Sequence, residues 1–399
     1  MTASNLRMSE FSFITAGESH GKGLVTIIEG LPAGLAVDVA VINHELWRRQ
    51  QGYGRGGRMK IESDEAEIIS GVRHGKTIGS PVSFIIRNRD FENWQDVMAV
   101  EPRQFDDDKR ARKLTRPRPG HTDLAGGLKY DTHDLRDILE RASARETAAR
   151  VAAGAFAKLF LRELGIEVGS HTAMIGGVPD EPIKATWEQI KAVPEDSRLR
   201  CVDKEAEQKM VELIDSTKDD KDTLGGIFEV IARGVVAGLG SHTQWSRKID
   251  GRLAQAIMCI PAVKAVEIGA GTSVSRTTGS RVHDEIQYND QSRTFTRPTN
   301  RAGGIEGGIT NGEDVRVLGH LKPISTLRQP LASVDVVTKQ DSAAAFERSD
   351  IVAVPAAGVI GEAMVAIVLA DAAREKFGGD SLAEAMRNFE SYLEQLRLY

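Results

Sequence analysis

Cysteine is nearly absent from this 399-residue chain. Only Cys201 and Cys259 occur, with no CxxC pair and no spacing of metal ligands, which excludes a disulfide framework and points to no metal site. With no secretory pattern at its start, the chain is expected in a reducing, cytoplasmic setting. Strong net charge is missing too: 52 Lys and Arg stand against 57 Asp and Glu, a net of −5, so there is no global basic footprint for nucleic acid. No Gly-Lys-Ser/Thr phosphate loop occurs, so a nucleoside triphosphate is not indicated. Nor is there an uninterrupted apolar run of membrane-spanning length. Ile351 to Ala370 carries Pro355, Gly358, Gly361 and Glu362 in its middle and reads as a buried strand, a turn and a helix. Aromatics are low at 5% and glycine somewhat high at 39, within an otherwise ordinary globular composition.

What is present is local. Two arginine clusters, Arg48 to Arg58 and Arg110 to Arg118, sit in a net-acidic protein and suggest a small anionic ligand over a polymer. Arg116-Pro117-Arg118-Pro119-Gly120-His121-Thr122-Asp123 puts two guanidiniums, a histidine and a carboxylate on a loop stiffened by two prolines. Arg suits phosphate and carboxylate, and His exchanges protons near neutrality, so an anion site with an acid beside it is one reading. A solvated basic loop whose His caps a neighbour is the other. Gly52 to Arg58 superficially resembles a nucleotide loop, but it follows a helix and opens none, so the dinucleotide fingerprint fails. Glycines beside arginines there allow the chain to close around an anion. The dense glycines of 299–312 permit close approach of a backbone or a flat ligand. They lead to Lys322-Pro323-Ile324-Ser325-Thr326, a cation and two hydroxyls of the kind a terminal phosphate needs.

Along the chain, residues 1–10 form an expected flexible tail, with Met1 or Met8 as start, and 11–399 a single domain. Strands are expected near Phe11–Ile14 and Leu24–Ile28, with His20 in the turn between them as either a catalytic acid or a plain turn residue. A helix is expected over Val41–Gln51 with Asn43 as cap, then an antiparallel meander from Ile61–Ile69 and Val82–Ile86. Residues 89–120 read as a long loop, functional or disordered. Asp134 begins one long helix from Leu135 to Leu164, whose alanines let neighbours approach closely and whose Arg141 and Arg145 share a face, with Glu140 and Glu146 able to neutralise them. Further elements are a strand at Ile166–Met174, a helix at Val202–Lys218, a strand at Ile227–Ile231, a helix at Gly251–Ile260, a strand at Asp314–Leu321 and closing helices at Gly361–Lys376 and Ser381–Leu398. Gly30-Leu31-Pro32-Ala33-Gly34 and Gly234-Val235-Val236-Ala237-Gly238 each follow an apolar strand and precede a helix, which suggests a weak internal duplication in one α+β domain.

Ala16-Gly17-Glu18-Ser19-His20-Gly21, Arg116 to Asp123, Arg141 to Glu146, the 303–312 glycines, Lys322 to Thr326 and Arg348-Ser349-Asp350 together resemble the chorismate synthase family, in that family's order. The resemblance runs from Phe11 to about Asn388. It implies a lyase that converts 5-enolpyruvylshikimate 3-phosphate to chorismate by 1,4-anti elimination of phosphate, requiring reduced flavin mononucleotide (FMNH2) without net redox change. It also implies a homotetramer whose subunit is a β-α-β sandwich, two antiparallel sheets with helices between them and long functional loops.

By that resemblance, substrate falls to Arg49, Arg55, Arg58, Arg116, Arg118 and Arg145, since guanidinium stays charged when desolvated. Flavin contacts carry over to Arg141, Ala142, Ser143, Ala262, Gly307, Lys322, Pro323, Ile324, Ser325, Thr326 and Arg348. Ala142 stands where many members have Ser, so a hydroxyl contact to the flavin is not assured there. His121 is the expected acid beside the departing phosphate, His20 the group that sets the protonation of reduced flavin, and Asp350 the partner of flavin N5. An external flavin reductant is expected, as no separate reductase module is visible. Two rivals remain: a flavin oxidoreductase that would consume NADPH stoichiometrically, and an anion- or RNA-binding module built on the arginine clusters.

Overall fold

The computed structural model describes residues 10–55, 63–105, 111–347 and 350–399. The tail expected at 1–10 therefore lies, but for Glu10, outside the described residues, as do Arg58 and Arg348. The first half carries strands β1 (Ser12–Ala16) and β2 (Gly23–Glu29), helix α1 (Val39–Gln50), and strands β3 (Ala66–Ser70) and β4 (Val82–Arg87). They form an antiparallel sheet in the order β1-β2-β4-β3. Helices α2 (Asp123–Tyr130), α3 (Arg136–Ala142) and α4 (Thr147–Glu163) follow. The second half runs through β5 (Glu167–Ile175), α5 (Lys204–Asp219), β6 (Gly226–Arg233), α6 (Ile249–Met258), β7 (Val263–Ile268) and β8 (Val315–Leu321). Its antiparallel sheet has the order β5-β6-β8-β7, and α7 (Val354–Phe377) and α8 (Leu382–Leu398) close the chain. Numbered within each half, both sheets follow the same strand order.

One face of each sheet is buried by alternation. Along β2, Leu24, Thr26 and Ile28 point inward while Val25 and Ile27 face out, and β8 alternates likewise over its whole length. Helix α4 packs on β1 and β2, α7 on β5 and β6, and α4 and α7 pack on each other. That contact is close because it is made of small residues: a side chain at Gly154 would place its Cβ 2.5 Å from the Ala363 Cα; α7 lies equally close to β6, where a side chain at Gly361 would meet the Phe228 ring at 2.6 Å. The alanine-rich sequence of α4 has this use.

Several local expectations are corrected. The long helix expected over 135–164 breaks at Ser143 (φ −65°, ψ 142°), whose hydroxyl accepts from the Arg145 N–H at 3.2 Å and restarts the chain. Asp38, not Asn43, caps α1, while the Asn43 side chain accepts from the Ala66 N–H of β3. The apolar run after 350 is one helix from Val354, with no strand or turn. Pro355 sits in its first turn, where a missing N–H costs nothing, and Gly358 and Gly361 lie where β5 and β6 press against it. This helix is buried along its length within the protein.

Glu362, in the middle of α7, is fully buried. Arg48 of α1 grips it with two bonds of 2.7 and 2.8 Å, Lys158 of α4 meets it at 2.6 Å and the Ser170 hydroxyl of β5 at 2.6 Å. Glu45 completes the network by accepting from both Arg48 and Lys158. Burial alone would raise the Glu362 pKa, but the charges of Arg48 and Lys158 hold it far below the usual carboxylate range. Removing one partner of a buried pair strands the others, so Glu362→Ala is expected to cost about 3–5 kcal/mol in urea unfolding. A loss below about 1 kcal/mol, the range of an exposed ion pair, would show that the network does not hold the layers together.

Candidate active site

Three side-chain clusters gather the predicted residues. The first surrounds His20, in the turn between β1 and β2. Glu140 of α3 accepts from the His20 backbone N–H at 2.8 Å and lies 2.8 Å from ring Nδ1, and the imidazole stacks on Trp94 with centroids 3.8 Å apart. Ser19 and Ser143 share a hydroxyl contact of 3.0 Å, and Arg141 donates to the carbonyls of Gly17 and Thr15, so the end of α3 is tied to the end of β1. Burial would raise the Glu140 pKa, but hydrogen bonding and the charge of His20, with Arg136 nearby, hold it below the ordinary value.

The second cluster is built on Asp64. Arg145 approaches both its oxygens at 2.6 and 2.7 Å, and Arg49 donates to it at 3.0 Å. Asn88 accepts from Arg145 Nε at 2.9 Å while its own amide donates to the carbonyls of Glu18 and Gly21, which joins this cluster to the His20 turn. Arg55 lies beside Arg49 and pairs with Asp350 at 2.9 Å. All three guanidiniums are largely buried. Burial, then the charges of Arg145 and Arg55, push the Arg49 pKa down, and its Nε is buried without a hydrogen-bond partner among the described residues. Among the described residues, these three guanidiniums share two carboxylates.

The third cluster is the Arg118–Asp123 loop. Asp123 is fully buried and accepts from the Arg118 backbone N–H (3.1 Å), Arg118 Nε (2.8 Å) and His121 Nδ1 (2.6 Å). Arg118 also donates to Thr326 at 3.0 Å, and Lys322 donates to the Gly120 carbonyl, so the loop docks on the 322–326 segment. Burial and the nearby charge of Lys264 lower the Lys322 pKa, which marks a place short of negative charge. Ala262, at a positive φ of 71°, accepts from the Lys322 N–H, and Gly307 has open space where a side chain would stand. A cation and two hydroxyls, with Lys322 and Ser325 both against Gly120, are groups that fit a phosphate-bearing flavin. Pro323 is exposed, Ile324 and Ser325 are half-buried, and Ala142 is half-buried at the end of α3. Arg116 is exposed and its carbonyl accepts from the Ala345 N–H.

Asp64, Asn88 and Trp94 were not legible as functional from sequence, because their partners lie far along the chain; Asp64 and Arg145 are 81 residues apart. Glu140, able by its place in the sequence to neutralise Arg141 and Arg145, bonds His20 instead, 120 residues away. Glu146 bonds Arg150 and Thr15 instead. The one local signal was the two-residue spacing of His121 and Asp123.

Asp123 gives a pH prediction. Burial opposes its charge, but His121 and Arg118 hold its pKa well below the ordinary value. A carboxylate depressed in the folded state contributes stability that is present above its unfolded pKa near 4 and is lost as pH falls toward the folded value. The unfolding free energy of wild type minus that of Asp123→Asn should therefore shrink from roughly pH 5 to pH 2. A pH-independent difference over that range would contradict the assignment.

Comparison with known proteins bears on the whole chain. Residues 11–373 match the family model described as chorismate synthase. A chorismate synthase of Solibacter usitatus is 57% identical over 389 residues, covering 97% of this chain and 99% of that protein. Those of Koribacter versatilis and Aquifex aeolicus are each 54% identical, over 393 and 395 residues, covering 97% of this chain and 99% and 98% of theirs. A crystal structure of a chorismate synthase aligns with a TM-score of 0.78 at 44% identity, covering 98% of this chain and 99% of that one.

Proposed function

The chain belongs to the chorismate synthase family, and from that premise we propose that the three clusters form one active centre. The enzyme is a lyase of the last shikimate-pathway step, converting 5-enolpyruvylshikimate 3-phosphate to chorismate with reduced FMN and no net redox change. The observation that carries the site assignment is the convergence of the largely buried Arg49, Arg55 and Arg145, with a buried Arg49 Nε that has no hydrogen-bond partner among the described residues. A substrate with one phosphate and two carboxylates supplies acceptors for such a group of guanidiniums.

Arg49, Arg55 and Arg145, with Arg116 and Arg118 of the proline loop, are the proposed substrate cations; Arg58 belongs to the same proposal. His121 is the acid that passes a proton to an oxygen of the departing phosphate. Asp123 orients its ring through Nδ1, and Arg118 is pinned beside it to meet the same anion. Lys322, Ser325 and Thr326 are read as the flavin phosphate site, with Ala262, Gly307, Pro323, Ile324, Arg141, Ala142, Ser143 and Arg348 around the rest of the cofactor. Reduced FMN, when bound, supplies the electron density that lets an unactivated ring carbon lose hydrogen as phosphate leaves. His20 would set the proton balance at the reduced flavin, and Asp350, paired with Arg55, would be the partner of its N5.

The finer architecture belongs to the same proposal. The shared strand order of the two sheets, each with a helix between its second and third strands, supports a β-α-β sandwich that arose by duplication, and one continuous core supports a single domain over 11–399. Ile14, Val25 and Ile27 make an exposed apolar stripe on the outer face of the first sheet, which supports a homotetramer. We further infer a cytoplasmic enzyme reduced by an external flavin reductant, without nucleic-acid or membrane partners.

An anaerobic assay with substrate and chemically reduced FMN, following chorismate and phosphate together, tests the assignment. His121→Ala and His20→Ala should each cut turnover by about 10²–10⁴-fold with the fold retained. Wild-type turnover in either variant removes that histidine from the mechanism. With oxidised FMN and NADPH alone, the purified protein should form no chorismate; product formation there would show an intrinsic reductase.

A further inference from the structure

We infer that Glu140 is a positioning residue that fixes the tautomer of His20, keeping the ring proton on Nδ1 and leaving Nε2 as the nitrogen that exchanges protons in the site. The inference rests on the role given to His20 above. Its basis is how the two Glu140 oxygens meet the residue. Oε2 accepts the His20 backbone N–H at 2.8 Å, and Nδ1 lies 2.8 Å from Oε1 and 3.1 Å from Oε2. The Glu140 side chain is 2% exposed, and Arg136 lies 3.6 Å from it. An ionised carboxylate accepts and never donates, so Nδ1 must be the donor. The ring cannot turn away to make another choice, because Trp94 stacks on its face, and Trp94 is itself held by an indole N–H bond to Asp90 and by the Arg112 guanidinium 3.8 Å over its ring.

The geometry makes a specific prediction for the isosteric amide. Glu140→Gln has one acceptor oxygen where the carboxylate had two. The His20 backbone N–H is only a donor and claims that oxygen, so the amide NH₂ takes the place of Oε1, the closer of the two oxygens to Nδ1. Nδ1 must then accept, and the ring proton moves to Nε2. An amide behind a catalytic imidazole lowers turnover by orders of magnitude in serine proteases for this reason. Glu140→Asp keeps two acceptors and should keep the tautomer.

The test is ¹⁵N NMR of histidine-labelled protein, read on the alkaline plateau of a pH series, with the His20 signals identified by their loss in His20→Ala, alongside steady-state kinetics. Wild type and Glu140→Asp should show the Nδ1–H form, and Glu140→Gln the Nε2–H form. Turnover in Glu140→Gln should fall about 10²–10⁴-fold, with KM for substrate unchanged and partial recovery in Glu140→Asp. An Nε2–H tautomer in wild type, an unflipped ring in Glu140→Gln, or a flipped ring with wild-type turnover each overturns the inference. If Glu140→Gln does not fold, the wild-type tautomer and the Asp variant still decide it. Wild-type turnover in His20→Ala would instead sink the role of His20 while leaving the tautomer result standing.

Discussion

A negative charge inside the central helix is the constraint around which this molecule is arranged. Glu362 has no water to solvate it, so its ionised form exists only because Arg48, Lys158 and Ser170 meet it from α1, α4 and β5. Those contacts fix the helices against each other and against the second sheet. They also fix what comes next in the chain. Arg48 and Arg49 are adjacent on α1: the first turns into the core to Glu362, and the second reaches Asp64 and the anion site. The network that holds the layers therefore sets the depth and direction of Arg49, one of the proposed substrate cations.

The same device recurs at the site. Asp64 holds Arg49 and Arg145, Asp123 holds Arg118 and His121, and Glu140 holds His20. Each carboxylate is buried, is kept ionised by its partners and presents acceptors to groups that need orientation. The cations and imidazoles proposed for the site are thus held in fixed directions by the protein itself, as catalysis by positioned charge requires. Asn88 links the first and last of these centres by accepting from Arg145 and donating to the turn that carries His20.

Much of the fold was legible because strand alternation, caps and glycine punctuation are local. β2, β4, β6 and β8 fall within a few residues of expectation, as do α1, α5 and α8. The errors have physical causes. Pro355, Gly358 and Gly361 look like breakers, but a proline in a first turn loses no hydrogen bond and glycines are tolerated where β5 and β6 press on the helix. Ser143 looks like one more small residue in a helix, yet its hydroxyl restarts the chain one residue later.

Composition, motifs and their order were enough to place the chain in its family and to single out His20, His121, the arginines and the 322–326 segment. Those features are contiguous, and their chemistry belongs to the residue types themselves. What faces what was decided only in three dimensions. Glu140 reads as a neighbour of Arg141 and proves to be the partner of a histidine 120 residues earlier, and Asp64 gives no sign that it must balance Arg145. A carboxylate pairs with whichever cation the packed layers bring within 3 Å of it, and that choice is made by the closure of the core around Glu362, not by any spacing along the chain. The Arg116–Asp123 loop shows both halves of the result. Its residues named an anion site, while docking on Lys322 and Thr326 determined where that site would stand.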